Sequence, residues 1–207
     1  HQQERIMSAF INATYDYKSK YLFSFSGRYD GYSKLVDNRW GFFPGVSAAW
    51  NVYREEFMEK YLDVFTNMKI RLGYGQNGNV SGIGLYELQG SYDKPGDFNG
   101  NYGILINKIA YPGLCWEKTT SFDTAIELGL FNKLNMTLGY FNKKTTDLIA
   151  DVPLSSSSGV GSMRTNNGAV RSQGMELEVN YKVFDNKKFK WNLGANITFV
   201  KSKILQL

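Results

Sequence analysis

Apolar and polar residues alternate with a period of two through most of this chain, the pattern of β-strands with one dry and one wet face. The alternation recurs about eight times. Met7, Ala9, Ile11, Ala13, Tyr15 and Tyr17 share one face, with Ser8, Asn12, Thr14 and Asp16 on the other. Tyr21, Phe23, Phe25 and Tyr29 alternate with Ser24, Ser26, Arg28 and Asp30. A third run sets Trp40, Phe42, Val46, Ala48 and Trp50 on one side, and a fourth sets Met68, Ile70, Leu72 and Tyr74 against Lys69 and Arg71. The later runs are Phe122–Leu130 against Asp123 and Glu127, Leu134–Tyr140, Met175–Tyr181 against Glu176 and Glu178, and Phe189–Phe199.

Connection lengths order these strands. Lys18-Ser19, Asn132-Lys133 and the "DNKK" stretch predict short turns. Gly31 to Asn38, Asn77 to Lys118 and Thr146 to Ala169 predict long loops, rich in Gly, Ser and Asn. The segment "REEFMEKYLDVFTN" falls at a short end and predicts one or two helical turns, with Phe57, Tyr61, Leu62 and Phe65 on one side. Short turns on one rim and long loops on the other are the plan of an outer-membrane barrel.

A length test agrees. Trp40 and Trp50 lie ten residues apart on one face, roughly 33 Å along a strand. A tilt of about 40° projects this to about 25 Å, the height of the apolar band that aromatic girdles flank. Phe189 and Phe199 repeat the interval. The pattern predicts an all-β, antiparallel up-and-down transmembrane β-barrel segment of about eight strands. Two other arrangements share the alternation. One is a soluble β-sandwich at the cell surface that binds carbohydrate, and the other is a complete eight-stranded barrel.

Composition narrows the chemistry. Aromatics make up 15% of the 207 residues, which favours strands. The net charge is +5, but Lys and Arg are scattered, so no nucleic-acid stripe forms. The single cysteine, Cys115, excludes an intrachain disulfide and reads as a loop residue. The only histidine is His1, which rules out a His-based triad or zinc site within the chain, so no metal is expected. No apolar run is long enough for a transmembrane helix, and the first residues lack the apolar segment of a signal peptide.

Several patterns imitate sites. "GYGQNG" fits G-x-G-x-x-G, yet no helix period follows to aim an N-terminus at phosphate, so no nucleotide cofactor is expected. Glu176 and Glu178 sit two apart on one strand, whereas glycosidase carboxylates flank the bond from different elements. Neither pattern makes an enzyme. Pro44, inside the third run, predicts a local bulge or kink with one missing ladder bond.

The residues also carry a resemblance. "GRYDGYSKLVDNRWGFFPGVSAAWNVYREEFM", "MKIRLGYGQNGN", "LCWEKTTSFDTAIELGLFNKLNMTLGYFNKKTTDLI", "NNGAVRSQGMELEVNYKV" and "FKWNLGANITFVKSKILQL" follow one another along the chain. Together they resemble the barrel of SusC/RagA-type TonB-dependent outer-membrane transporters of Bacteroidetes. That resemblance implies that residues 1–207 are part of a larger plugged barrel of about 22 strands. Plug, TonB-contacting segment and terminal strands are then expected outside this stretch. It further implies a bacterial outer-membrane location and uptake of an oligosaccharide or peptide. The implied partners are a SusD-like surface lipoprotein, the TonB complex through parts outside this stretch, and outer-membrane lipid.

The expected lumen-facing substrate contacts are Arg28, Asp30, Arg71, Glu127, Glu176 and Glu178. The expected membrane-interface girdle is Trp40, Trp50, Phe189 and Phe199. The long loops 77–118 and 146–169 are the expected contacts for lipoprotein and substrate.

Overall fold

The computed structural model describes residues 3–84, 86–94, 96–98, 101–186 and 189–206. His1, the Lys187-Lys188 part of the last short turn, and Leu207 lie outside the described residues.

Eight long strands form one antiparallel sheet: β1 (Ile6–Tyr17), β2 (Tyr21–Tyr32), β3 (Trp40–Asn51), β4 (Phe65–Asn79), β9 (Glu117–Leu130), β10 (Leu134–Pro153), β11 (Ser162–Asp185) and β12 (Lys190–Gln206). Their order in the sheet is β1-β2-β3-β4-β9-β10-β11-β12. The missing numbers belong to an insertion between β4 and β9. There β5 (Ser91–Asp93) pairs with β8 (Leu105–Lys108), and β6 (Asp97–Phe98) with β7 (Asn101–Tyr102). Every long strand thus lies beside the one before it, and β1 and β12 are free edges.

This topology overturns two of the alternatives. A complete eight-stranded barrel requires β1 to pair with β12, and it does not. A sandwich requires a second sheet over the apolar face. Here Phe42, Leu72, Leu138, Met175 and Ile197 remain exposed, and the other sheets have two strands each.

Two of the short turns share one geometry. Lys18 and Ser19, and again Phe131 and Asn132, have φ between 52° and 54°. Lys20 and Lys133 donate back to Tyr17 and Leu130 at 3.0 Å. Both are type I′ turns, whose twist matches that of the flanking strands.

Two expectations need correction. Residues 146–169 are mostly strand. β10 and β11 run on as a hairpin past the top of β9, leaving only 154–161 as connection, with a 3-10 turn at Ser156–Ser158. Register shifts around Thr145–Ile149, with Asp147 at φ 56°, break the alternation there and hide the continuation from a period-two reading. The segment after β3 forms the expected helical turns, as 3-10 helices at Val52–Arg54 and Glu56–Tyr61.

Pro44 makes no bulge. It sits opposite Gly27 in an unbroken register with β2. On the other side the ladder between β3 and β4 begins only at Gly45↔Gly75. Proline, which has no N–H to give, therefore stands where β3 parts from β4. The Phe43 ring helps to separate them, because it occupies the space that a Cβ on Gly78 or Gly41 would need. This also explains the glycine motif. Gly73, Gly75 and Gly78 all lie within β4, and Gly78 serves ring packing.

Most of the buried core comes from outside the strand ladders, with only Tyr32 of β2 and Phe43 of β3 contributed by them. Tyr32, Leu35, Phe43, Val80, Ile83, Leu88, Leu114 and Trp116 form it, with Tyr111 and Ile149 packed against them. It gathers at the long-loop end, where the insertion folds onto the polar face of β2 and β3.

Candidate functional site

Pairing register fixes which side chains share the polar face. One row runs Ala49, Arg71, Ala125, Gly139, Glu176, Thr198, and the next runs Lys69, Glu127, Thr137, Glu178, Asn196. Charged groups alternate with small residues along each row, which leaves room above the sheet. Arg71, Glu176 and Glu178 line a trough of about 640 Å³ with Asp123 and Lys143. Arg71 Nε donates to Glu127 Oε1 at 2.7 Å. Glu178 accepts from Asn180 Nδ2 at 2.8 Å. Glu176 and Asp123 have no hydrogen bond or ion pair among the described residues.

Arg28 and Asp30 share this face but stand apart, near the long-loop end of β2 and opposite Phe43 and Gly41. Arg28 Nε donates to Asp30 Oδ2 at 2.7 Å, and the guanidinium lies 5.7 Å from the Phe43 ring centroid. Asp30 is buried, and its Oδ1 has no partner among the described residues. Arg28 lines a second trough of about 860 Å³ with Phe10, Gln76 and Asn77, and this trough also includes Asp123 and Lys143. The six expected residues therefore lie on one face, with Arg71, Glu127, Glu176 and Glu178 grouped and the Arg28–Asp30 pair separate.

Sequence reading left Lys143 and Phe10 out of the candidate set. Lys143 follows from extending the β10 alternation past Tyr140 to Phe141 and Lys143. Phe10, 82% exposed, sits among Ser8 and Asn12 and faces Arg28 across the ladder.

The core of the insertion roofs one end of this face. Trp116 meets Phe43 edge-on at 5.4 Å and Tyr32 at 6.3 Å, and its Nε1 donates to the Arg39 carbonyl at 3.1 Å. Asn166 of the β10–β11 hairpin bonds both the N–H and the carbonyl of Cys115. Cys115 is thus a loop residue held by its backbone, and burial raises its thiol pKa, with the nearby Asp147 adding to the effect. Glu87, also buried, accepts from Lys108 at 3.0 and 3.1 Å and has Arg164 at 3.7 Å. Among the described residues, no group of three His, Cys, Asp or Glu is placed to hold a metal ion.

On the apolar face, aromatic rings gather at both ends of β2 and β3. Tyr29 stacks on Trp40 at 5.0 Å, while Tyr21 stacks on Trp50 at 6.4 Å and on Tyr17 at 6.5 Å. Phe189 lies one residue before β12 and packs on Phe184, which stacks on Trp191. Phe199 sits within β12 opposite Met175.

A family model described as "TonB dependent receptor-like, beta-barrel" matches residues 1–205. The chain belongs to that family. It is 34% identical to TonB-dependent receptor P3 of Formosa agariphila over 99% of its own length and 21% of that protein's. It is 30% identical to TonB-dependent receptor SusC of Bacteroides thetaiotaomicron, covering 98% of this chain and 21% of SusC. The solved structure described as the RagAB peptide transporter superposes with a TM-score of 0.87 at 26% identity, over 99% of this chain and 22% of that one. The chain thus spans about a fifth of the relatives it matches. A SusC/RagA-like TonB-dependent barrel is an outer-membrane structure, and the exposed apolar face of this sheet fits that setting.

At the short-turn rim of this TonB-dependent barrel, one carboxylate joins two turns. Glu55 accepts from Tyr21 Oη at 2.7 Å, Lys20 Nζ at 3.0 Å and Trp50 Nε1 at 3.0 Å. These three donors, Tyr21 first, hold its pKa down at about 2. Glu56 is the other acid acting on Lys20. A carboxylate with a depressed pKa stabilises the fold fully above the ordinary carboxylate range, and that contribution is lost as pH falls through the depressed value. With Trp50 as the sole tryptophan of the full-length protein, its emission is expected to hold steady from pH 7 to about 3 and to shift below that. A transition centred near pH 4.5 would show that the clamp is not formed.

Proposed function

We propose that this chain forms part of the wall of a plugged barrel that takes up an oligosaccharide or peptide across the outer membrane. TonB supplies the coupling, and a SusD-like lipoprotein covers the long-loop side. One observation carries the reading. A single sheet presents a continuous exposed aromatic and apolar face on one side. On the other side is a concave face bearing Arg28, Arg71, Asp123, Lys143, Glu176 and Glu178. Lipid takes the first face and the lumen the second. Both signs of charge stand in the trough, with Glu176 and Asp123 unpaired among the described residues, which suits a zwitterionic or hydrogen-bonding nutrient better than a single ion. The relative described as RagAB is a peptide transporter, which favours the peptide alternative.

Trp40, Trp50, Phe189 and Phe199 are the proposed interface girdle. The insertion 80–116 and the β10–β11 hairpin are the proposed contacts for the lipoprotein. The mechanism is binding and passage, with no catalytic residue.

Single-cysteine variants of the full-length protein test the orientation. Cysteine at Glu176 is expected to react with a water-soluble maleimide, while cysteine at Leu177 reacts only with a lipid-soluble one. The opposite result overturns the assignment of faces. Loss of uptake on charge reversal at Arg71 and Glu176, with the barrel still folded, separates the substrate role from the structural one.

A further inference from the structure

The turn between β3 and β4 carries large apolar side chains that the described residues leave about half exposed or more. Val52 and Met58 are buried, but Phe57 is 59% exposed, Tyr61 55% and Leu62 46%. Val64 donates to the Tyr61 carbonyl at 3.0 Å, and Phe131 of the next turn donates to the Val64 carbonyl at 2.8 Å. These bonds bring Phe131, itself 61% exposed, alongside the others. Phe131 has φ 52°, a left-handed conformation that is costly for a bulky residue and usually left to Gly or Asn. An aromatic ring kept in that conformation while mostly exposed has a use outside the chain.

The direction of the turn is fixed. Glu55, which opens the Glu56–Tyr61 3-10 turn, is tied to Trp50 Nε1 and Tyr21 Oη. Both rings belong to the apolar face. The turn is thereby drawn to the outer side of the rim and away from the trough. Its exposure does not arise from the free sheet edges, since β1 and β2 flank it on one side and β4 to β12 on the other. Around the patch, Arg54, Lys60 and Lys133 balance Glu56, Glu59 and Asp63. Equal numbers of both signs suit a zwitterionic surface rather than an acidic or basic partner.

We propose that this turn is an interfacial anchor. Phe57, Tyr61, Leu62 and Phe131 sit at the headgroup–acyl boundary of the leaflet on the short-turn side, and the ligand is zwitterionic phospholipid. The patch continues the Tyr17–Tyr21–Trp50 aromatic row, and amphipathic segments of this kind lie about 5–10 Å into the boundary. Tyr and Trp favour that depth. The inference rests on the membrane placement proposed above.

Spin labels on the full-length protein in phosphatidylcholine liposomes test it. Labels at F57C and L62C are expected to collide several-fold more with oxygen, relative to a water-soluble nickel chelate, than a label at E59C. A label at L177C reports membrane placement and is expected to favour oxygen as well. Labels at 57 and 62 that meet the chelate as freely as one at 59 overturn the anchor. Labels shielded from both reagents overturn it too, since protein then covers the patch. A label at 177 that meets the chelate overturns the membrane placement itself. In Glu55→Ala, the oxygen preference at 57 is expected to fall toward that at 59, and an unchanged preference overturns the tether.

Discussion

Replacing Trp116 with alanine is expected to release the insertion 80–116 from the rim, at a cost of about 3–5 kcal/mol. Trp116 is buried between Phe43 and Tyr32, and its Nε1 satisfies the Arg39 carbonyl. Its ring also lies over Gly41, which has no side chain to fill the gap left behind. Relaxation is therefore limited, and the lost contacts fall on one cluster. Of the buried residues in that cluster, only Tyr32 and Phe43 belong to the strand ladders, which are held by their own register pairs, so the sheet stays intact while the insertion opens. Where opening is fast relative to cleavage, such a loss raises protease cutting within 80–116 on the order of a hundred- to several thousand-fold. Limited proteolysis of the full-length protein in its membrane measures this. Unchanged cutting would show that the insertion is held by something other than the Trp116 cluster.

That cluster marks where sequence reasoning stopped. The strand ladders were legible because each strand has one aromatic face and one polar face, so the period of two survives in residues such as Phe23, Leu72 and Ile126. Register then follows from short turns at Lys18-Ser19 and Asn132-Lys133. The rim was not legible. Phe43 reads as part of the Phe42–Phe43 pair, and only its position opposite Arg28 puts it on the polar face. Its partners Val80, Leu114 and Trp116 come from a segment with no period, because loop packing follows tertiary contacts. The β10–β11 extension was hidden for a different reason. Bulges near Asp147 shift the alternation by a residue, so that two halves of one strand look like a strand and a loop. Among the charged candidates, the shared face was readable from alternation. The separation of the Arg28–Asp30 pair from the Arg71–Glu176 row was not, because it depends on where along the face each strand places them.

Removing Lys108 tests how the insertion is tied to the hairpin. Glu87 is buried, and its two oxygens accept from Lys108 at 3.0 and 3.1 Å. Arg164 stands farther off at 3.7 Å and is already committed to Asp151 through two bonds of 2.9 Å. Lys108→Ala therefore strands a buried carboxylate whose remaining cation is shared. Leaving a buried acceptor short of its donor costs about 1–3 kcal/mol and more for a charged one, and the residual contact with Arg164 and the half-exposed position of Lys108 put this case at about 2 kcal/mol. Lys108 is half exposed and regains water when Glu87 is removed instead, so Glu87→Leu is expected to cost less. The double variant removes the stranded charge, and its loss is expected to fall well below the sum of the two singles. Cleavage within 80–116 reads all three variants on one scale. A double variant as open as the sum would mean that Glu87 and Lys108 act independently, and the ion pair would then not be what fastens the insertion over the trough. If the pair does fasten it, the same variants change access to Arg28 and Lys143 from the long-loop side while leaving the apolar face unaltered.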